Sequence, residues 1–307
     1  MHEGSKKAII AAFFANLGIA ISKLAGFLVT GSAGLAAESV HSFADSANQG
    51  LLLWGAKRSQ QKRNEDHPFG HGRESYFWAF VVAMVLFSLG GLFALYEGFN
   101  KLQHPHETDN LVVAVVILLV AIVLESFSLR TAVRESQHFK KPTESWWRFL
   151  RDAKQPELPV VLLEDIAAEI GLIFALTGML LGHYLHNPRW DAAGSVAIGV
   201  LLVTVAAILS IEMKSLLIGE LASPDDVAKL RHALTSHSRV RKIIYLHTQH
   251  LGSDTLLVAA KAEFDPALTA VEISATIDSI EVSMRDVVPS AKIIFIEPDV
   301  FDESRSH

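Results

Sequence analysis

No cysteine occurs among the 307 residues of the chain. The protein therefore has neither a disulfide nor a thiolate ligand for a soft metal, and any metal site must use His, Asp and Glu. The GxxxxGK[ST] phosphate loop and the HExxH zinc motif are also missing, so the sequence indicates neither ATP-driven chemistry nor a metalloenzyme. The net charge of -6 gives no indication of nucleic-acid binding.

Apolar residues, in contrast, make up 50% of the chain and are concentrated before residue 213. Six apolar stretches are long enough, at about 20 residues each, to cross a hydrocarbon core of roughly 30 Å as helices. The predicted spans are 8–29, 34–56, 75–99, 110–130, 158–182 and 192–212. We expect a six-helix transmembrane domain over residues 1–212, in contact with membrane lipid. The first span is too long for a signal-peptide core and no cleavage site follows it, so we expect it to remain.

Basic residues are concentrated in alternate connectors between the predicted spans. Segments 57–73 and 130–157 hold five and seven of them. The connector between the first two spans holds none, that between the third and fourth holds Lys101, and that between the fifth and sixth holds Arg189. Because cytoplasmic loops of membrane proteins carry the excess of Lys and Arg, both termini are predicted to lie in the cytoplasm. An even number of spans agrees with that orientation.

After residue 212 the long apolar runs give way to short stretches of alternating apolar and polar residues. A capped helix at SPDDVAKLRHALTSH is followed by strand candidates RKIIYLHTQ and TLLVAAKAEF, a helix over about 270–287, and a last strand AKIIFIEP. The order αββαβ predicts a small α+β domain over residues 213–307, with two helices on one face of a sheet.

Ionisable residues interrupt the second predicted span. Glu38, His41 and Asp45 are spaced i, i+3 and i+7, which places them on one stripe of a helix, and Asn48 and Gln49 extend that polar face. A charged side chain at the centre of a bilayer costs about 2.5–3.5 kcal/mol on insertion scales. Such residues therefore need a partner or a function.

The fifth predicted span has a second polar set, Glu164, Asp165 and Glu169. If the two faces meet, one imidazole and two or three carboxylates can surround a divalent cation. Hydrogen bonding between the helices is the alternative. Imidazole with carboxylates suits zinc, and also cobalt, iron or manganese. Since histidine has a reference pKa of about 6.5, a proton can compete with the metal for His41.

Several motifs resemble those of the cation diffusion facilitators: GSAGLAAESVHSFADSANQ, DHPFGHGRESY, LLIGELASP and IFIEPD. VHSFADSANQGLLLWG and VVLLEDIAAEIG are most similar to the branch that contains the mitochondrial zinc exporter of eukaryotes. The resemblance implies a homodimeric, proton-coupled transporter of divalent metals, with six transmembrane helices and a ferredoxin-like cytosolic tail that serves dimerisation or regulation.

The resemblance also implies metal ligands. His41 and Asp45 match the family's ligand pair on helix two, and Asp165 matches one of the pair on helix five. The usual histidine of helix five falls on Val161, which cannot bind a metal. Glu164 is the preferred fourth ligand, Glu169 the second choice and water the third. Glu38 is a further candidate on helix two.

Two secondary metal sites are also candidates. In many relatives the loop after helix two binds a regulatory cation, which here would involve Asp66, His67 or His71; a Pro-Gly turn is the alternative. In the tail, Tyr245 and Lys261 occupy positions where the family has metal ligands. Only Glu297 and Asp299 remain suitable there.

The prediction from sequence is a homodimeric antiporter that exports a divalent cation, zinc first, from the cytosol in exchange for protons. It would have no permanent cofactor and would not be an enzyme, and we expect it in a bacterial inner membrane. Two alternatives stay open. One is an exporter of manganese, iron or cobalt, and the other is a membrane scaffold that senses metal without transporting it.

Overall fold

The computed structural model describes residues 3–105, 110–140, 142 and 144–301, without the side chains of 3–15, 33 and 152. The chain forms two compact units. The first holds the residues up to Lys57 together with Phe77–Lys214, and the second holds Arg58–Tyr76 together with the residues from Ser215 onward. The predicted boundary at 212 lies close to the second division. The loop between helices two and three, which the prediction placed in the transmembrane domain, groups with the second unit.

Long helices form the first unit, and each of the six predicted spans falls within one helical stretch to within one residue. Gly31 lies between the first two helices and has a φ of 62°. Glycine adopts this left-handed conformation readily, whereas few other residues do. In chain order the helices are α1 (Glu3–Thr30), α2 (Ala33–Ser59), α3 (Glu74–Val85), α4 (Phe93–Gln103), α5 (Leu111–Phe139), α6 (Trp146–Asp152), α7 (Glu157–Tyr184) and α8 (Arg189–Ile218).

Three of these helical stretches are long and apolar enough to cross a membrane, judged by length and composition within the described residues. They are Glu74–Gln103, Leu111–Phe139 and Arg189–Ile218, and they correspond to the third, fourth and sixth predicted spans. The other three predicted spans lie in α1, α2 and α7, which have 28, 27 and 28 residues. The apolar stretch Asn16–Thr30 in α1 is shorter.

A π-helical segment, Leu86–Leu92, joins α3 to α4 without a break and was not predicted from the sequence. It contains Gly90 and Gly91, both buried. A Cβ atom on Gly91 would lie 2.8 Å from Cγ2 of Val203, so the absence of a side chain lets this segment approach α8 closely. A Cβ on Gly90 would lie 3.8 Å from Nδ1 of His41. Short π-helical segments often occur near functional sites, and this one adjoins the polar stripe of α2.

The second unit contains the predicted αββαβ order. Its elements are α9 (Pro224–Thr235), β1 (Val240–Gly252), β2 (Thr255–Phe264), α10 (Ala270–Val287) and β3 (Ala291–Asp299). The sheet order is β1-β2-β3, with β1 antiparallel and β3 parallel to β2. Alternate residues of β2 are buried, and they share one apolar core with α9 and α10. The C-terminal part of the chain is therefore a small α/β sandwich with a three-stranded sheet.

Both helices of this unit begin at side-chain caps. Ser223 accepts a hydrogen bond from the backbone N–H of Asp226 at the start of α9. At the start of α10, Thr269 and Glu272 form a reciprocal capping box, in which the backbone N–H of Thr269 donates to the Glu272 carboxylate. The hydrogen bonds from Thr269 hold the pKa of Glu272 below its ordinary value. The Ser223 cap was predicted from the sequence, and the structure confirms it.

Candidate metal centre

The polar stripe of α2 is buried, as its helical spacing predicts. Glu38 and His41 are fully buried, and Asp45 is 6% exposed. Nδ1 of His41 lies 3.3 Å from Oδ1 of Asp45, one helical turn away. Neither ring nitrogen of His41 has a hydrogen-bond partner within the described part of the chain, and the same holds for Oδ1 of Asp45. Buried polar atoms are normally hydrogen-bonded, so these three atoms indicate a position for a ligand or a proton.

Glu164 of α7 meets the stripe of α2. It is 4% exposed, and its carboxyl group interacts with that of Asp45. The side-chain amide of Asn48 donates to Oε1 of Glu164 at 2.9 Å. The structure therefore brings His41, Asp45 and Glu164 into one continuous chain of contacts across the α2–α7 interface.

Asp165 lies next to Glu164 in sequence but contacts a different helix. Its Oδ2 accepts a hydrogen bond of 3.0 Å from the hydroxyl of Ser128 in α5. Asp165 and Val161 line a cavity of about 1210 Å³ among α1, α2, α5 and α7. Asp165 is 6% exposed, so this cavity gives a buried carboxylate contact with open space.

The four preferred ligands do not form a closed cage. Among the residues that the structure describes, no three side chains of His, Asp or Glu are grouped closely enough to hold a metal ion. His41, Asp45 and Glu164 are in sequential contact, while Asp165 is directed to α5. A shared coordination sphere would require Asp165 to leave Ser128 and turn towards Asp45.

The two less favoured candidates have partners outside this group. Oε1 of Glu169 accepts a hydrogen bond of 2.9 Å from Ser126 of α5. Oε2 of Glu38 forms an ion pair of 3.1 Å with Lys23 of α1. One oxygen of each carboxylate is therefore already engaged by a neighbouring helix.

Lys23 is a buried functional candidate that sequence reasoning missed. It is fully buried in α1 and contacts Glu38, Ser42 and Glu125. Its partner Glu125 is 5% exposed and lies 3.8 Å from the Lys23 ammonium, so this carboxylate is also buried. The sequence feature that could have identified Lys23 is its position as a lysine inside the apolar run of α1.

A second buried ion pair corrects the topology argument. Lys101 was counted as a base of the connector between the third and fourth spans, but it lies in α4 and is 1% exposed. Its ammonium is 2.7 Å from Oδ2 of Asp191, at the start of α8. Removing Lys101 from the loop count strengthens the contrast between base-rich and base-poor connectors.

The loop after α2 places its candidate ligands in the second unit. Asp66 and His67 are exposed, and the rings of His67 and His71 lie 4.3 Å apart between centroids. The backbone N–H of His67 is bound by the side chain of Asn64 at 2.7 Å. The two histidine rings are adjacent in space, as joint binding of one metal ion would require. Metal binding by Asp66, His67 or His71 stays a prediction.

The tail candidates Glu297 and Asp299 are occupied by a lysine. The Lys261 ammonium lies 3.2 Å from Glu297 and 2.7 Å from Asp299. Hydrogen bonds to Asp299 and Glu297 raise the pKa of Lys261 above its ordinary value. A metal ion at these two carboxylates would have to displace that ammonium.

Known proteins are similar to this chain over most of its length. Residues 9–218 match the family model described as the cation efflux transmembrane domain. The "Proton-coupled zinc antiporter SLC30A9, mitochondrial" of Mus musculus is 31% identical over 264 residues, which cover 86% of this chain and 47% of the mouse protein. The chain spans about half the length of this relative and of the human one, for which the share is 46%.

Two further relatives come from a plant and a bacterium. "Metal tolerance protein C4" of Arabidopsis thaliana is 28% identical, over 85% of this chain and 57% of the plant protein. The "Magnetosome protein MamB" of Magnetospira sp. (strain QH-2) is 24% identical, over 80% of this chain and 78% of the bacterial protein. The names of these relatives refer to zinc, metal tolerance and magnetosomes.

Proposed function

Because the chain belongs to the cation efflux family and is an integral membrane protein, we propose that it exports a divalent cation from the cytosol in exchange for protons. Zinc is the first choice of cargo, since the relatives with the highest identity given above are named zinc antiporters. Manganese, iron and cobalt are the alternative cargoes, because a site with one imidazole and several carboxylates suits them as well.

One observation carries this proposal: a buried imidazole and two buried carboxylates are in sequential contact across α2 and α7, and several of their polar atoms have no partner in the described part of the chain. His41, Asp45 and Glu164 would bind the ion as it replaces its hydration water. Asp165 would complete a four-ligand shell after turning from Ser128, which suits the tetrahedral preference of zinc.

Proton exchange follows from the chemistry of the same ligands. Imidazole binds a metal only in its neutral form, and carboxylates bind it as anions, so protonation releases the ion. In an alternating-access cycle the site would load from the cytosol and release the ion after protonation from the other side. His41 is the imidazole of this group, so a proton and the metal compete directly for its ring nitrogens.

The architecture that serves this function has six transmembrane helices, with α1, α2 and α7 joining the three apolar spans. The C-terminal unit would be a cytosolic ferredoxin-like domain that supports homodimerisation or regulation, and residues 1–212 would form the transport domain. Both termini would lie in the cytoplasm of a bacterial cell, with the protein in the inner membrane. The basic connectors at 57–73 and 130–157 support that orientation.

Metal flux into proteoliposomes tests the proposal. The lumen is loaded with a zinc-sensitive dye, a pH gradient is imposed, and wild type is compared with Asp45→Ala and Asp165→Ala. Each substitution removes a proposed ligand, so we expect the initial flux to fall by more than about tenfold. Collapse of the pH gradient should slow wild-type flux.

The control is Asp278→Ala, which removes an exposed carboxylate of α10 in the second unit and should keep the wild-type rate. Unchanged flux in both Asp45→Ala and Asp165→Ala would refute the site. Zinc binding to wild type without any flux would instead support the metal-sensing scaffold. Parallel runs with manganese, iron and cobalt identify the cargo.

A further inference from the structure

The ammonium of Lys23 is surrounded by oxygen atoms, as a bound metal cation would be. Its ammonium is 3.1 Å from Oε2 of Glu38, 2.7 Å from the hydroxyl oxygen of Ser42 and 3.8 Å from Oε1 of Glu125. The three oxygens come from α2 and α5, and the ammonium comes from α1. Two carboxylates and a hydroxyl are oxygen ligands that hard divalent cations prefer.

The burial of this group is nearly complete. Lys23 and Glu38 are 0% exposed, Ser42 is 2% exposed and Glu125 is 5% exposed. Oε1 of Glu38 has no hydrogen-bond partner within the described residues, so the oxygen set has a free acceptor in addition to those that bind the ammonium. Removing one partner of a buried ion pair leaves an uncompensated charge, which is strongly unfavourable. Without Lys23, Glu38 and Glu125 would need another cation.

We propose that Glu38, Ser42 and Glu125 form a second cation position, which the ammonium of Lys23 fills permanently. This inference rests on the proposed function, in which His41, Asp45, Glu164 and Asp165 carry the mobile ion. Lys23 is then a positioning residue: it keeps two nearby carboxylates out of the coordination sphere of the cargo. The transport site consequently takes one divalent ion at a time.

The side chain of Lys23 links this position to a cavity. Lys23 lines the cavity of about 1210 Å³ that Asp165 also lines, and its ammonium is bound by Glu38, Ser42 and Glu125. Without that ammonium, we expect an ion from this cavity to reach these oxygens. A variant without the ammonium is therefore expected to gain a bound ion.

Counting bound ions tests the inference. Lys23→Gln and wild type are equilibrated with Mn²⁺ and, separately, with Zn²⁺ by dialysis, and metal per chain is measured by mass spectrometry. We expect Lys23→Gln to bind one ion per chain more than wild type. An equal count in Lys23→Gln that elutes as a single folded species would overturn the proposal.

Lys101→Gln is the matched control. It removes an equally buried ammonium, whose one carboxylate partner within the described residues is Asp191. A single carboxylate does not replace the hydration shell of a divalent ion. The metal count of Lys101→Gln should equal that of wild type. A gain in Lys101→Gln as large as in Lys23→Gln would show that the extra ion does not depend on the Glu38–Glu125 pair.

A variant without charge in this group keeps the test decisive if Lys23→Gln does not fold. Lys23→Gln/Glu38→Gln/Glu125→Gln removes the base and both acids, so no buried charge of the group is left uncompensated. This variant should fold and bind as many ions as wild type. Failure of this variant to fold, or an extra ion in it, would overturn the proposal. If this inference fails, Lys23→Gln and wild type bind the same number of metal ions per chain. If the proposed function fails, metal flux is unchanged in Asp45→Ala and Asp165→Ala. The two failures are therefore distinguishable.

Discussion

At the scale of single residues, the ionisable groups of the first unit fall into two kinds. Lys23 with Glu38 and Lys101 with Asp191 are buried ion pairs, which compensate their own charge. His41 is buried without a hydrogen-bond partner in the described chain. A charged group at the bilayer centre costs about 2.5–3.5 kcal/mol on insertion scales, so uncompensated groups indicate function more strongly than paired ones.

The choice of the fourth ligand is a prediction at this scale. Glu164 contacts Asp45, whereas Glu169 is bound by Ser126 of another helix. Glu164→Gln should therefore raise the zinc concentration for half-maximal flux by about 10–100-fold. Glu169→Gln is the matched control, with the same change five residues along α7, and should have a small effect. The reverse order of effects would assign the ligand to Glu169.

The positions and roles of individual residues could be predicted from the sequence to different degrees. The stripe of Glu38, His41 and Asp45 follows from spacing alone, because helix periodicity places them on one face. The role of Lys23 depends on which carboxylates of α2 and α5 surround it, and sequence spacing does not contain that information. For the same reason, Lys101 was predicted to be a loop base although it is buried.

At the scale of elements, the predicted helices and strands agree with the structure to within a few residues at most ends. Hydropathy and capping are local properties, so they can be read from the sequence. The larger differences are at helix C-termini, where α5 continues to Phe139 and α8 to Ile218, past the ends of the apolar runs. The π-helical segment was not predicted, because its i→i+5 hydrogen bonds have no hydropathy signal.

Close packing between α4 and α8 provides a prediction at the element scale. A Cβ on Gly98 would lie 2.8 Å from the backbone nitrogen of Val196 and 3.1 Å from the carbonyl oxygen of Ala192. Backbone atoms cannot move aside without shifting a helix, so Gly98→Ala should lower the free energy of unfolding by about 1–3 kcal/mol. Denaturant unfolding in detergent measures this change.

The control for this prediction is Gly50→Ala in α2. A Cβ at Gly50 would meet no heavy atom within 4 Å, so this substitution adds only the better helix propensity of alanine. Its stability should be equal to or greater than that of wild type. A loss in Gly50→Ala as large as in Gly98→Ala would show that the α4–α8 approach is not the cause.

At the scale of the whole molecule, orientation in the membrane can be tested directly because the chain has no cysteine. A single cysteine placed at Gln60 or at His104, both exposed, is the only thiol in the protein. With the termini in the cytoplasm, an impermeant maleimide should label Gln60→Cys only in inverted vesicles and His104→Cys only in intact cells. Labelling with the opposite sidedness would reverse the proposed direction of transport.

The helical and α+β elements, the polar stripes and the family could all be predicted from the sequence, because they depend on local periodicity and motif residues. Which polar groups meet depends on how the helices pack. This packing joins Asp45 to Glu164, directs Asp165 to Ser128, and places Lys23 between Glu38 and Glu125. The physical reason is that a buried charge is stabilised by its neighbours in space, which come from helices far apart in the chain.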